Sequence, residues 1–309
     1  MFKTTSAFTP PIFSEPFGDT VKLFVDSTQG WVNVQDSTSN ERGAQFIAAT
    51  GGTFCVSQIS NTPANNAVDY LVVAGGGAGG GNAPAGATNA SGGGAGGFRF
   101  YANTTTNPQS GPASPINNFP SGTTVTVTAT AFPITVGAGG PSPCAGQGGA
   151  GSNSVFSTIT AAGGGGGGGL PGPGGSGGSG GGGRGTAGGS GNTPPVSPAQ
   201  GTDGGSSAGS NPDSQNQAGG GGALAAGQST PNNPNPGGEG GAGGGVTGFG
   251  SSNGVCSSCV QYFAGGGGGA TGSPGGGSVG GLGGGGQGGS NNNAPRHSGV
   301  AGTANTDGS

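Results

Sequence analysis

The feature that most constrains this chain is a junction at which a strand-like apolar segment runs directly into glycine. Residues Val68 to Ala74 read Val-Asp-Tyr-Leu-Val-Val-Ala, and a glycine-rich tract follows from Gly75 to Gly81. Looser forms of the junction recur at Phe132 to Gly140, at Ser154 to Gly169 and at Gln261 to Ala270. Random low-complexity sequence would not keep this order, so the pattern indicates a repeated structural unit.

The glycine tracts admit three readings. Glycine supplies 85 of the 309 residues and proline 23, which is typical of collagen-like or disordered chains. Collagen needs glycine at every third position, and the uninterrupted run Gly163 to Gly169 breaks that register. Disordered chains usually carry more charge than the 5% found here. The ordered alternative is polyglycine II, a left-handed helix with three residues per turn, whose copies can pack without side chains through lateral backbone hydrogen bonds.

We therefore predict a fold that is mostly β and irregular, with essentially no α-helix. Residues 1–66 form an N-terminal β region for attachment or oligomerisation, and residues 67–161 alternate strands with glycine tracts. Residues 162–309 form a polyglycine II bundle with connecting loops rich in Asn, Ser and Pro. Within the first region, Val21 to Val25 and Trp31 to Val34 flank a turn-like segment and predict a β-hairpin.

Further strands and loops follow from local composition. Strands are predicted at Phe98 to Tyr101, Thr123 to Thr128 and Pro133 to Val136, where β-branched and aromatic residues cluster. In the second half, polar spacers separate the glycine tracts and have the turn composition of loops. These spacers are Gly191 to Ala218, Gln228 to Pro236, Thr247 to Phe263 and Ser290 to Ser298.

Charge and composition argue against several functions. Six basic and ten acidic side chains give a net charge of -4, and no Lys/Arg cluster offers a surface for nucleic acid. No stretch approaches the roughly 20 apolar residues of a membrane span, so membrane insertion is not expected, and Met1 to Gly18 does not resemble a signal peptide. The single histidine, His297, has no acidic pair or nucleophile placed beside it. We expect neither an enzyme nor a cofactor.

Four cysteines add a weak pattern. Cys256 and Cys259 form a C-x-x-C, which is read as a candidate local disulfide or as two free thiols in a loop. A zinc site would need further ligands from Cys55, Cys144 or His297, which are scattered along the chain, so no metal site is predicted.

Several segments resemble the glycine-rich domain of bacteriophage structural and tail-fibre proteins. The likeness starts with the run from Val68 to Gly77 and with Gly94 to Arg99, and it covers most of the chain in order. It extends to Pro133 to Gly140, Gly151 to Phe156, Gly302 to Thr306 and, near the N-terminus, Val25 to Trp31 and Phe46 to Gly52. In one respect the chain departs from the family. Related domains often continue into another glycine tract and an apolar strand, whereas this sequence stops at Ser309, either because the protein is short or because its end has been removed.

The resemblance implies a virion protein, located in the extracellular particle and made in the host cytoplasm. Its architecture is similar to that of phage adhesins that display loops from packed polyglycine II helices. The expected function is a tail-fibre or adhesin component that binds other virion proteins through its N-terminal region and a bacterial receptor or glycan through its loops. The alternative is a purely structural capsid-decoration or fibre-shaft protein, with homo-oligomerisation open in both cases. An ice-binding protein is a distant third reading, because regular Thr or Ala arrays are not evident.

Candidate receptor contacts are aromatic and basic residues near the predicted loops, because aromatic side chains supply large contact areas at low entropic cost. Phe100, Phe249 and Phe263 could equally be buried as lids over the glycine faces. The candidates are Phe100, Tyr101, Phe249, Tyr262, Phe263, Arg296 and His297.

Overall fold

The structure is a computed structural model that describes most of the chain from Gly52 onward and the backbone of two strands before it. The described residues are 20–26, 30–35, 52–61, 63–81, 90–101, 124–169, 172–207, 217–230, 237–246, 254–258, 260–272, 277–290 and 298–304. Over these ranges the chain contains strands, extended irregular segments and one 3-10 turn at Pro63–Asn66, without an α-helix. The predicted fold class is therefore confirmed. No described segment forms a helix with the length and apolar character needed to cross a membrane.

Short strands account for the regular secondary structure. In chain order they are β1 (Thr20–Asp26), β2 (Gly30–Gln35), β3 (Gly52–Cys55), β4 (Ala67–Val68), β5 (Tyr70–Val73), β6 (Phe98–Tyr101), β7 (Val125–Thr126), β8 (Ala131–Thr135), β9 (Ser154–Phe156), β10 (Ile159–Ala161), β11 (Gly244–Val246), β12 (Val255–Ser257) and β13 (Val260–Phe263). The β1–β2 pair is antiparallel, with Leu23 opposite Val32, which confirms the predicted N-terminal hairpin. Strand β6 has the predicted bounds. Of the predicted strand Thr123 to Thr128, the structure describes residues 124–128, and Val125 and Thr126 of these form a strand.

The remaining strands build small antiparallel sheets. One has the order β10-β9-β8-β3, another has the order β11-β13-β12, and β5 pairs with β6 and β4 with β7. In the β5–β6 pair, Tyr70 lies opposite Tyr101 and Val73 opposite Phe98. The junction that dominates the sequence thus begins with a strand that already has a partner.

Strand β5 separates two apolar clusters. Tyr70 and Val72 are buried on one side with Phe156 and Ile159, while Leu71 and Val73 pack against the other cluster, around Phe98. This division follows from the alternation of side chains along a strand, which sends successive residues to opposite faces. The second cluster is completed by Ala95, Ala223, Val246, Phe263 and Ala264.

Aromatic rings fill much of the first cluster. The Phe156 ring lies 6.1 Å from that of Phe54 and 6.3 Å from that of Phe132, measured between centroids. Tyr70 stacks on Tyr101 at 6.0 Å. Such separations are typical of favourable aromatic pairs, so strands that are distant in sequence are joined by contacts between their side chains.

The glycine tracts form extended rods rather than strands. Beginning where β5 ends, they run back and forth beside one another and exchange backbone hydrogen bonds. The rods cover residues 74–81, 91–97, 137–143, 146–153, 162–169, 172–176, 177–184, 186–191, 200–207, 217–223, 225–230, 237–243, 264–271, 277–282, 284–290 and 298–304.

In each interior rod, successive backbone N–H groups donate to different neighbouring rods, and every third N–H donates to the same neighbour. In rod 217–223 the N–H groups of residues 217, 220 and 223 donate to rod 264–271, and those of residues 218 and 221 donate to rod 177–184. Residues 219 and 222 donate to rod 225–230. Only a helix with three residues per turn presents every third residue to the same neighbour, which is the geometry of polyglycine II.

The same rotation occurs at the centre of the bundle. Gly164 and Gly167 of rod 162–169 donate to Gly75 and Ala78, at 2.9 Å in both bonds. Gly165 and Gly168 donate to the next neighbour, rod 177–184, at 2.9 and 2.8 Å. Every residue of rod 162–169 is buried, so the backbone itself forms a core.

Close approach explains why these positions are glycine. A Cβ atom added to Gly165 would overlap the carbonyl group of Gly175, and one added to Gly77 would overlap the carbonyl group of Gly165. A carbonyl of a packed rod cannot move aside as a flexible side chain can. At Gly283 and Gly284 a different property of glycine is needed. Their φ angles of 107° and 97° turn the chain between two rods, and glycine adopts such positive angles readily.

Successive rods alternate in direction, so the bundle has two distinct ends. Strands β5, β6, β9, β10, β11 and β13 all continue into rods at the same end, which we call the strand end. The opposite end is the far end. Antiparallel bonds from Ala74 to Gly97 near the strand end and from Gly80 to Ser91 near the far end show this alternation.

Two predicted loops contain regular structure. The spacer Gly191 to Ala218 includes the complete rod 200–207. Thr202 and Gly205 follow the same three-residue hydrogen-bond pattern as the other rods, although several of their neighbours are polar. The spacer Thr247 to Phe263 includes strands β12 and β13. The boundary predicted between residues 161 and 162 falls within the bundle, since rods on both of its sides exchange hydrogen bonds.

Candidate binding surface

Buried polar side chains lie where rods finish at the far end of the bundle. Rods finish at the far end in side chains that are at least nine-tenths buried yet carry hydroxyl, amide or guanidinium groups. They are Ser91, Arg184, Ser207, Gln217, Thr230, Thr271 and Ser290. At the strand end, the buried residues next to the rods include Ala74, Ala161, Ala223 and Ala264, together with the polar Arg99, Ser154 and Gln200. Buried polar side chains therefore occur at both ends of the bundle.

Backbone pairing fixes the last residues of these rods. Ser207 donates to the carbonyl of Thr186 at 3.0 Å, and Thr230 donates to that of Ser206 at 2.9 Å. Thr271 donates to Gly289 O, also at 3.0 Å. The rods consequently remain aligned up to the points from which the connecting segments leave.

Arg184 is the buried cation of this end. Its backbone pairs in both directions with Gly172, at 3.1 and 3.3 Å. Burial lowers the pKa of its guanidinium group, because removal from water disfavours the charged form. Nearby, the Ser91 hydroxyl donates to Gly183 O at 2.9 Å. Among the described residues of the far end, Arg184 thus places a positive charge beneath the surface.

The segments that connect rods at the far end share a polar composition. They read Asn-Ala-Pro-Ala-Gly-Ala-Thr-Asn at 82–89, Pro-Asn-Asn-Pro-Asn-Pro at 231–236 and Asn-Asn-Asn-Ala-Pro-Arg-His at 291–297. Segments 208–216 and 273–276 are similar, with Ser, Pro and Gly. All of them lie outside the described residues, but the rod ends on either side place their attachment points at the far end.

Polar side chains along the outer rods form hydrogen bonds with the backbone of the bundle. Asp203 Oδ1 accepts a hydrogen bond from Gly191 N–H at 2.7 Å, and Gln228 Oε1 accepts one from Glu239 N–H at 2.9 Å. Such side chains supply the acceptor that a further rod would provide to a backbone N–H. They act as bundle caps, which leaves the connecting segments as the better candidates for ligand contacts.

The predicted aromatic contacts are found at the strand end. Phe100 and Tyr101 belong to β6, and Tyr262 and Phe263 belong to β13. Phe263 is only 7% exposed and is part of the second apolar cluster, against which Phe100 packs. Both side chains therefore belong to, or pack against, an apolar cluster of Ala, Val and Phe residues. Tyr101 and Tyr262 are half-buried.

The other three predicted contacts lie outside the described residues. Phe249 belongs to the connection between β11 and β12, whose described ends are at the strand end. Arg296 and His297 belong to segment 291–297, which leaves from the far end. The described rod ends therefore attach the segment that contains Phe249 at the strand end and the segment that contains Arg296 and His297 at the far end.

The cysteines show no common site among the described residues. Cys55, Cys144 and Cys256 are exposed free thiols, and Cys259 lies outside the described part of the chain. Cys55 is in β3 at the strand end, and Cys144 lies between two rods at the far end. In the described ranges, His, Cys, Asp and Glu form no cluster of three that could hold a metal.

Sequence reasoning missed a clamp between Asn192 and Gln200. Gln200 is 1% exposed, and its Oε1 accepts a hydrogen bond from Ala162 N–H at 2.8 Å while its Nε2 donates to Pro194 O at 2.9 Å. Asn192 Oδ1 accepts from the N–H groups of Val196 and Gln200. The sequence signal for this clamp was a pair of amide side chains, Asn192 and Gln200, at the two ends of a proline-rich segment.

Comparison with known proteins identifies one family. A family model described as a glycine-rich domain matches residues 48–308. No curated protein and no solved structure gives a significant match. The match begins just before β3 and includes all the rods, so it corresponds to the bundle and its strand end.

Proposed function

The chain belongs to this glycine-rich domain family, and we propose that it is a bacteriophage virion protein that presents its far end to the host surface. In this role it is a tail-fibre or adhesin component. The resemblance of its motifs to phage tail-fibre proteins supports the virion assignment. The polar connecting segments that leave from the far end, opposite β3, support the adhesin role.

One observation carries the proposal more than any other. Strand β3, which belongs to the N-terminal region 1–66, lies at the strand end, while the polar connecting segments leave from the far end. A chain held to a particle through this N-terminal region therefore presents the opposite end outward. Rigid rods with variable polar connections are a common arrangement for binding, because the scaffold fixes where the loops start.

The expected ligand is polar. Segments 231–236 and 291–297 offer Asn amides together with Arg296 and His297, which can donate and accept hydrogen bonds with the hydroxyl groups of a surface glycan. Arg296 can also pair with an anionic group. Because the aromatic residues of β6 and β13 belong to the strand end, they contribute to folding and attachment in this account.

The test uses particles that carry variant chains. Segments 208–216, 231–236 and 291–297 are replaced singly by Gly-Ser sequences of equal length, and adsorption to the host bacterium is measured. We expect at least one replacement to reduce adsorption strongly while the chain remains in the purified particle. Replacement of segment 247–253 at the strand end is the control. If purified particles lack the chain, or if all the far-end replacements adsorb normally, the proposal is wrong.

A structural role as a fibre shaft or decoration protein is the second candidate. Strand β3 is the last strand of its sheet, next to β8 alone, and such an edge can pair with another chain. In that case particle assembly, rather than adsorption, would respond to changes in β3. The two readouts from the same particles separate the candidates.

A further inference from the structure

Arg99 lies in the interior of the strand end although its side chain carries a charge. It is 8% exposed and stands in β6 between Phe98 and Phe100. Both phenylalanines belong to, or pack against, the second apolar cluster. Because side chains alternate along a strand, Arg99 faces the first cluster instead, opposite Val72 of β5. A guanidinium group therefore shares a face with apolar and aromatic side chains.

No carboxylate compensates this charge in the part of the chain that the structure describes. The carboxylates with described side chains are those of Asp69, Asp203 and Glu239, which are all exposed. None of them forms an ion pair with Arg99. Segment 102–123, which follows β6 directly, contains no Asp or Glu. Because a buried charge without a partner is costly, the position of Arg99 indicates a negatively charged partner from elsewhere.

Tyr70 does not supply the missing negative charge. Its ring lies on the same face of the β5–β6 pair as Arg99 and stacks on that of Tyr101, with 6.0 Å between the centroids. Burial raises the pKa of Tyr70, and this effect is larger than the lowering by the positive charge of Arg99. The phenol of Tyr70 therefore remains neutral near pH 7, and Arg99 keeps an uncompensated charge beside it.

We propose that Arg99 and Tyr101 form a binding site for a carboxylate group at the strand end. Tyr101 is half-buried and lies on the same face as Arg99, two residues further along β6. A guanidinium group presents parallel N–H donors that match the two oxygens of a carboxylate, and a phenol hydroxyl adds another donor. A carboxylate carries the single negative charge that neutralises one arginine, whereas a phosphate group carries up to two and would leave excess charge in an apolar cluster.

Two sources of carboxylates reach this end of the bundle. The first is the chain before β3, where Phe54 packs against the cluster that Arg99 faces. An extended chain from Glu41 to Gly52 spans up to about 36 Å, more than the roughly 14 Å across a sheet of four strands. The second source is an acidic residue of a protein to which the N-terminal region attaches, and only this source rests on the proposed function. Half of the ten acidic residues of the chain precede β3, namely Glu15, Asp19, Asp26, Asp36 and Glu41.

The experiment follows the side-chain Nε–H signals of the arginines in nuclear magnetic resonance spectra of the full chain. Sodium acetate is the probe, at an ionic strength held constant with sodium chloride. If another protein supplies the carboxylate, acetate should shift the Arg99 signal at concentrations at least tenfold lower than those that shift Arg42, Arg184 and Arg296. If the N-terminal region supplies it, the same response should appear only in a variant with Gln for Glu and Asn for Asp at residues 15, 19, 26, 36 and 41.

Tyr101→Phe tests the second donor in whichever chain responds to acetate. The substitution removes the hydroxyl group and keeps the ring that stacks on Tyr70, so the dissociation constant for acetate should rise at least threefold. Tyr262→Phe, at another half-buried tyrosine of the strand end, is the matched control and should leave it unchanged.

Three results would overturn the proposal. The first is an Arg99 signal that acetate shifts in neither chain, and the second is one that shifts only together with the signals of the other arginines. The third is an affinity for acetate that Tyr101→Phe leaves unchanged. Because the readout is binding of acetate to the chain itself, failure here is distinct from a failure of adsorption to host cells.

Discussion

The centre of the bundle and the strand end form two cores by opposite means. Rod 162–169 is buried without any side chain larger than a methyl group, and its N–H groups bond to surrounding rods in rotation. At the strand end, Phe54, Phe132 and Phe156 pack their rings together. The first core depends on the absence of side-chain atoms and the second on their presence. The same small change of volume should therefore have very different effects in the two regions.

The largest effect is expected for Gly165→Ala at the centre of the bundle. The added methyl group would overlap the backbone carbonyl of Gly175, and neither rod can shift without breaking bonds to its other neighbours. We expect a loss of about 3 kcal/mol or more in the free energy of unfolding, at the upper end for overpacked cores. Urea denaturation measures it.

Gly139→Ala is the matched control for that change. The nearest atom to a Cβ at this position, Gly76 O, is 3.8 Å away, so the methyl group has room, and the expected change is within about 0.5 kcal/mol. If both alanine variants are equally stable, the close packing of rods described here is wrong.

An intermediate effect is expected for Gln200→Ala, which removes the side chain that links Ala162, at the start of rod 162–169, to Pro194. The change leaves Ala162 N–H, a buried donor, without the acceptor Oε1 that lies 2.8 Å away. A buried donor without a partner costs about 1–3 kcal/mol. Gln228→Ala provides the comparison, because Glu239 N–H is exposed and water can replace the lost acceptor. A loss at Gln200 no larger than that at Gln228 would argue against the clamp.

The smallest effect is expected for Ile159→Val at the strand end. This change removes one methylene from a side chain that is 5% exposed in the first apolar cluster. Such deletions cost about 1 kcal/mol, which thermal unfolding can detect. Together with Gly165→Ala it compares the loss of one carbon from a side-chain core with the addition of one carbon to a backbone core. A greater loss at Ile159 than at Gly165 would reverse the account.

The sequence predicted the local elements better than their assembly. The apolar runs ending at Val73 and starting at Phe98 predicted β5 and β6 because side-chain character determines strand formation locally. The three-residue geometry of the rods also followed from glycine runs. Rod 200–207 was missed because Thr202, Asp203 and Ser206 have the composition of a loop, and their suitability depends on a position at the outer face of the bundle.

The predicted receptor contacts also show that local sequence does not determine where a residue lies in the assembled bundle. Phe263 was chosen as an aromatic residue beside a polar spacer, but its ring is buried against Ala95 and Phe98 in the second cluster. Which end of the bundle a residue occupies depends on the direction of its rod, and that direction depends on how many turns precede it. Local composition carries no such information, so the division of the predicted contacts between two ends required the structure.

Amide hydrogen exchange measures directly whether the glycine rods form a hydrogen-bonded core. The N–H groups of Gly165, Gly167 and Gly168, and those of rods 217–223 and 264–271, donate to neighbouring rods. Peptides of the same sequences, free in solution, provide the unprotected rates. We predict that these amides exchange far more slowly in the intact chain than in the peptides, because the bundle must open before they reach water. Exchange at the rates of the free peptides would contradict the existence of a hydrogen-bonded polyglycine II core.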